Sequence, residues 1–374
     1  MKRLLVLSLL VLGALHLPGQ EPAKPDLDAA FLIKPSEVKR SFVQPDSERR
    51  LAFGKHQGEF AAWRSRAKEK LTELLQVGTV KPGTVKELRK TTYQGVVIQA
   101  LVMEIDANLS IPAYLLVPEK PSEAGSAVIA LHGHGEVEPC IGLRDDYHRQ
   151  FALKLAQGGH LVLCPELRGF GVLTDLAADR EGFRLDYWNQ QAKRVNDRQF
   201  TLVTDGFLHG KTLIGETVED LLRWEEWLAQ QHRVKTVHTA GLSYGGDLAL
   251  IYPVFSNRVE RIFASGTFGS FTPIFARCYN APAHCIPGVL RWLDRADIAG
   301  LNAPRPLVVH FGELDRPDKN NYSASYNETV PVAFQELQKI YEAAGARDRV
   351  RLIVSPGKRH EMDNEELSAF LQRK

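Results

Sequence analysis

The chain has 374 residues, 44% of them hydrophobic and 25% charged, which is ordinary globular usage and excludes a disordered, collagen-like or coiled-coil protein. Basic residues outnumber acidic ones by only 47 − 45 = +2, and neither sign gathers into a long run. That excludes a nucleic-acid footprint or a polybasic membrane patch and favours a small neutral or mixed substrate.

Residues 1–20 open with Met1-Lys2-Arg3 and continue as an apolar run over 4–15, the pattern of a secretory signal. The run is too short for a bilayer of about 30 Å, which needs about 20 apolar residues. Export to the periplasm or beyond is expected, with cleavage near Gly19 or Gln20 and no stable membrane anchor. Residues 21–84 are predicted as an N-terminal helical extension, because Leu51, Phe60, Trp63, Leu71, Leu74 and Leu75 recur at mostly helical intervals over 47–77. Residues 85–374 form the main domain. Short β-rich runs at 95–101 and 113–117 suggest an antiparallel lead-in.

Beyond Pro118, apolar runs alternate with amphipathic stretches of ten residues or more, the rhythm of βαβ units around a buried parallel sheet. Strands are predicted at 127–131, 161–164, 236–240, 261–264, 307–311 and 350–354, and helices at 147–157, 217–230, 244–255, 332–344 and 364–372. One segment, 171–211, carries Tyr187, Trp188 and Phe207 without a clear period. Long irregular connections of this kind are usually lids or binding loops.

The chemistry concentrates at strand ends. Gly241-Leu-Ser243-Tyr-Gly245 lies between a predicted strand and a predicted helix. A serine on so sharp a turn takes a strained backbone, and small residues on either side admit the neighbouring segments. Its hydroxyl needs a base and an orienting carboxylate further along the chain. The strand over 307–311 runs into Gly312-Glu-Leu-Asp315, and the strand over 350–354 leads to His360. Parallel strands converge at their carboxyl ends, so Asp315 is read as the acid and His360 as the base, with Glu313 and Asp318 as rival acids. Tyr244, after the nucleophile, and His134, in the loop His132-Gly-His-Gly135, are the candidate N–H donors to an oxyanion.

Alternative chemistries fit less well. His132-x-His134 followed by Glu136 resembles the start of a metallo-hydrolase ligand set, but the Asp and His wanted next are Glu136 and Val137, so no metal site is expected. Cys140, Cys164, Cys278 and Cys285 are too few for a disulfide scaffold. Cys278 and Cys285 are the nearest pair, and whether they are bridged stays open. Arg168, beyond a strand end, suits either an anionic ligand or a brace to Glu166, and the brace is preferred.

These residues resemble the α/β-hydrolase superfamily and, within it, the bacterial branch of dienelactone-hydrolase-like proteins and acetyl xylan esterases. The likeness spans 113–360 and is carried by Ile111-Pro-Ala-Tyr-Leu-Leu-Val-Pro118, the His132 loop, Asp146-Tyr147, Arg168-Gly-Phe-Gly171, the Ser243 segment, Cys285-Ile-Pro-Gly288, Ala303-Pro-Arg-Pro306 and His360-Glu361. The resemblance implies an α/β-hydrolase fold with an eight-stranded, mostly parallel sheet flanked by helices. It implies hydrolysis without a cofactor by a triad of Ser243, Asp315 and His360. After Asp315 the chain departs from the pattern, since Arg316-Pro-Asp-Lys follows where relatives have an apolar residue and proline.

The expected function is a serine carboxylic-ester hydrolase working through an acyl-enzyme on a small-molecule ester, an acylated carbohydrate in particular. A prolyl-oligopeptidase-like peptidase shares the triad order but lacks here its long β-rich prefix. A non-catalytic binding protein on the same fold would normally have lost a triad member. Nucleic acid is not an expected partner, and the sequence is silent on oligomeric state.

Overall fold

A computed structural model describes residues 49–121, 125–173, 195–271, 282–315 and 329–373. The expected signal segment, Tyr187, Trp188, Cys278 and Asp318 lie outside these residues. No helix among the described residues is long and apolar enough to cross a membrane.

Side-chain alternation builds the core. In β4 (Ser126–Leu131) every residue is buried, with Ala127, Ile129 and Leu131 in one apolar cluster and Val128 and Ala130 in another. A strand covered on both faces has this continuous apolar character. β5 (Leu161–Pro165), β6 (Thr236–Leu242), β7 (Val259–Ser265), β8 (Leu307–Gly312) and β9 (Val350–Ser355) continue the parallel part. The antiparallel strands β1 (Thr84–Tyr93), β2 (Val96–Glu104) and β3 (Ser110–Pro118) precede them. The order is β1-β2-β3-β5-β4-β6-β7-β8-β9, so the chain moves outward from β4 to β5 and returns across it to β6. The crevice outside the carboxyl ends at such a switch is where α/β sheets place their sites.

The sheet has nine strands, one more than the resemblance implies. The extra strand, β1, is exposed at eight of its ten positions and shows no apolar alternation to mark it. Its outer edge carries Lys86, Arg89 and Lys90 and a register shift between Glu87 and Arg89, features that discourage pairing with another edge.

Helices cover both faces. On one lie α1 (Phe60–Leu75), α4 (Leu213–His232), α5 (Tyr244–Ile251), α6 (Arg295–Gly300) and α7 (Val330–Ala343). On the other lie α2 (Phe151–Gln157) and α8 (Asn364–Gln372). α1 starts at Phe60, later than the pattern over 47–77 suggested, and buries Trp63, Ala67, Leu71 and Leu75, one turn apart. α2 begins at Phe151, not at Tyr147, because Arg149 and Gln150 adopt φ of 54° and 56°, which no right-handed helix admits. The expectation of irregular chain over 171–211 is corrected in its second half: α3 occupies Val195–Leu208. It packs through Val203 and donates Gln199 Nε2 to Gly169 O at 2.9 Å.

Candidate active site

Between β6 and α5 there is one residue, Ser243, with φ 59° and ψ −118°. A non-glycine residue held at such angles costs roughly 1–3 kcal/mol, and the surroundings must enforce it. Ser243 N–H donates to Ser265 O at 2.8 Å. A Cβ on Gly241 would lie 2.0 Å from Gly245 O, and one on Gly245 would lie 2.1 Å from Leu131 O, so neither position admits a side chain. Tyr244 opens α5, and an N–H in the first helical turn has no intrahelical acceptor.

The turns after β8 and β9 are joined by Glu313 N–H to Ser355 O (2.9 Å) and Leu314 N–H to Lys358 O (2.8 Å). This junction sets His360 Nδ1 2.9 Å from Asp315 Oδ2. Asp315 is 3% exposed. Of the rival acids, Glu313 instead accepts from Gly357 N–H at 2.9 Å on the exposed side. The His360 ring lies over Gly266, where an added Cβ would be 2.8 Å from His360 Cε1 and 3.1 Å from Leu242 Cδ1. The imidazole is therefore brought to the end of β6, beside the serine turn.

The ends of β7, β8 and β9 are also tied inside the sheet. Ser265 Oγ lies 2.7 Å from His310 Nδ1, His310 Nε2 3.1 Å from Ser355 Oγ, and Ser355 donates to Asp363 Oδ2 at 2.6 Å. Because Ser355 spends its proton on Asp363, its oxygen accepts from His310 Nε2–H, and His310 Nδ1 accepts from Ser265. Burial holds the His310 pKa down to about 4, so the ring is neutral, as this chain of bonds requires.

The loop after β4 is clamped peptide by peptide. Gly133 N–H donates to His148 Nε2 at 2.7 Å, with His148 Nδ1 on Asp146 Oδ1 at 2.8 Å. His132 Nδ1 bonds Gly133 O at 2.7 Å, and its Nε2 accepts Leu167 N–H at 3.0 Å. A peptide is planar with N–H and C=O opposed, so holding Gly133 O turns the His134 N–H the other way. Tyr147 Oη then donates to His134 O at 2.6 Å, and its ring stacks on His360 at 5.6 Å. Both nitrogens of His132 are thus committed to the protein backbone.

The His134 ring stands edge-on to Phe170 (5.2 Å) and stacks on His284 (5.8 Å). Burial and the imidazoles of His284, His360 and His132 depress its pKa to about 3, so it is neutral. Arg168 does not pair with Glu166. Its Nε donates to Asp220 Oδ2 at 2.6 Å and its Nη1 lies 3.2 Å from Glu216, both on α4. Glu166 Oε1 lies 3.0 Å from His132 Nε2 but takes no hydrogen bond from it, since that nitrogen accepts Leu167 N–H.

Several site residues carried no sequence assignment. Asp146 and Tyr147 showed only their place in a marker string, and His148 showed none. Asp247, one helical turn after Ser243, accepts from Thr267 Oγ1 (2.7 Å), Arg295 Nη2 (2.8 Å) and His284 Nδ1. Burial would raise this carboxyl, but Arg295, His284 and Thr267 outweigh it and bring the pKa to about 2.

No family model matches the chain. A Bacillus subtilis protein named as a hydrolase, YtaP, is 22% identical over 287 residues, covering 74% of this chain and 86% of its own. A Bacteroides fragilis structure named as an acetyl xylan esterase superposes with a TM-score of 0.67 at 16% identity, covering 86% of this chain and 82% of that one. The methylesterase BT1017 gives 0.60 at 18% identity, covering 88% and 68%. At these identities the likeness is one of architecture, and with the sheet order and the turn at Ser243 it makes this chain an α/β-hydrolase in fold.

Proposed function

We propose that the chain is a serine-dependent carboxylic-ester hydrolase that works through an acyl-enzyme. The observation that carries this reading is the His360–Asp315 contact of 2.9 Å at the end of the sheet where Ser243 occupies its strained turn. His360 Nε2 takes the Ser243 proton as Oγ attacks the ester carbonyl. Asp315 accepts Nδ1–H and stabilises the imidazolium that forms. The N–H groups of Tyr244 and His134 receive the oxyanion. The alcohol leaves with the proton from His360, and water, deprotonated by the same ring, then releases the acid and restores Ser243.

The substrate class is a small ester, with an acylated carbohydrate as the leading case. The name of the acetyl xylan esterase neighbour supports this choice, and that of the methylesterase supports ester hydrolysis. Export, read from residues 1–20, suits such a substrate. The test is labelling by a fluorophosphonate probe together with turnover of short acyl esters. Wild type should react and turn over, and Ser243→Ala should do neither. A folded wild-type chain inert to both would refute the proposal.

A further inference from the structure

One polar atom beside this site has no use in the mechanism above. His284 ends the short 3-10 turn Pro282–His284 and is 3% exposed. Its Nδ1 is fixed on Asp247, which Arg295 also holds. Its other nitrogen, Nε2, is buried and has no hydrogen-bond partner among the described residues. With Nδ1–H donated to Asp247, Nε2 carries the lone pair and is an acceptor. Leaving it unmet in the interior costs about as much as a lost hydrogen bond, so an orphan of this kind calls for an explanation.

Its location narrows the explanation. The two nitrogens of an imidazole point to opposite sides of the ring, so Nε2 faces away from Asp247. The ring stacks on His134 at 5.8 Å and meets Tyr244 edge-on at 5.0 Å, the two residues whose N–H groups are assigned to the oxyanion. A ligand bound there as an ester has no hydrogen to donate from its carbonyl or from a simple acyl chain. Its remaining donors are hydroxyls on the alcohol part.

We propose that His284 Nε2 accepts a hydrogen bond from a hydroxyl on the alcohol part of the substrate and so selects esters of polyhydroxy alcohols. This rests on the serine-esterase reading and names a specificity residue within it. A site built to bond a hydroxyl discriminates strongly against an analogue without one, because the buried acceptor is left unpaired.

The test compares two esters of similar ring size, monoacetylated methyl xyloside and cyclohexyl acetate, by their kcat/KM ratio. Wild type should favour the xyloside by about tenfold or more. His284→Asn keeps a donor for Asp247 and deletes Nε2, and should lower the ratio about tenfold or more. His284→Gln retains a polar atom where Nε2 stood, and should recover most of the ratio. Fluorophosphonate labelling of Ser243 checks that each variant is folded. Should His284→Asn fail to fold, His284→Ser, which also lacks an atom at the Nε2 position, takes its place in the comparison.

A wild type without preference, or a ratio unchanged in His284→Asn, overturns the inference and leaves the esterase reading standing. An equally low ratio in His284→Gln overturns it as well. A wild type that is unlabelled and hydrolyses neither ester overturns both.

Discussion

Tyr147 joins the two halves of the site: its hydroxyl holds His134 O at 2.6 Å while its ring stacks 5.6 Å from the His360 imidazole. Tyr147→Phe keeps the ring and releases the loop carbonyl. The expected result is a fall in kcat of about 10- to 100-fold with KM changed by less than about threefold, because an oxyanion donor acts mainly in the transition state. Steady-state kinetics on a short acyl ester measures it. A rise in KM at constant kcat would show that the hydroxyl serves ground-state binding.

Asp315→Asn should reduce kcat by about 10⁴-fold, since an amide orients the imidazole in the wrong tautomer. Glu313→Gln keeps an amide oxygen able to accept from Gly357 N–H on the exposed side and should stay within about threefold of wild type. Parallel kinetics on the two variants would expose a mistaken choice of acid if the effects were exchanged.

Acid should weaken the fold well before its carboxylates titrate. Burial lowers the pKa values of His238 and His310 to about 4, whereas an unfolded imidazole takes up a proton near 6.5. Below about pH 6.5 the unfolded chain therefore binds more protons, and stability falls by about 1.4 kcal/mol per pH unit for each such ring. The loss is complete near pH 4, and above about 6.5 these rings contribute no slope. Chemical denaturation at a series of pH values should show this for wild type and a shallower slope for His310→Asn.

Gly245→Ala places a methyl group 2.1 Å from Leu131 O and 2.4 Å from His132 O. Overpacking costs about 1–3 kcal/mol or more, and here the strain falls on the serine turn and the clamped loop together. The melting temperature should drop and fluorophosphonate labelling should be lost. Normal labelling would mean the turn tolerates the displacement.

Arg168→Met removes the main counter-charge of Asp220, which is buried at 5% exposure. Stranding one partner of a buried pair costs about 3–5 kcal/mol, moderated here by Arg223 Nη1 at 3.0 Å. Stability should fall while KM for an uncharged ester stays within about twofold, as thermal melts and kinetics would register. A selective loss of affinity for anionic esters would restore the ligand-binding role.

The buried part of the architecture was legible because parallel strands are unbroken apolar runs, and the six predicted at 127–354 overlap β4 to β9. β1 was hidden because its side chains face water. α3 was hidden because its covered positions include the polar Gln199. Within the site, Ser243 announced itself through glycines that its turn requires. The roles of Tyr147, His148 and His284 depend on contacts between segments up to 213 residues apart, as for Tyr147 and His360, and no local spacing encodes them.

The Ser265–His310–Ser355–Asp363 relay has a mechanical consequence. Strands held only by backbone ladders can in principle slide past one another, and one step of about 3.3 Å would carry the imidazole out of reach of both its carboxylate and the serine turn. An interior imidazole bridging two hydroxyls acts as a dowel across the sheet. Shear between these three strands must first break a buried bond, so alignment of the site and rigidity of the scaffold become one property.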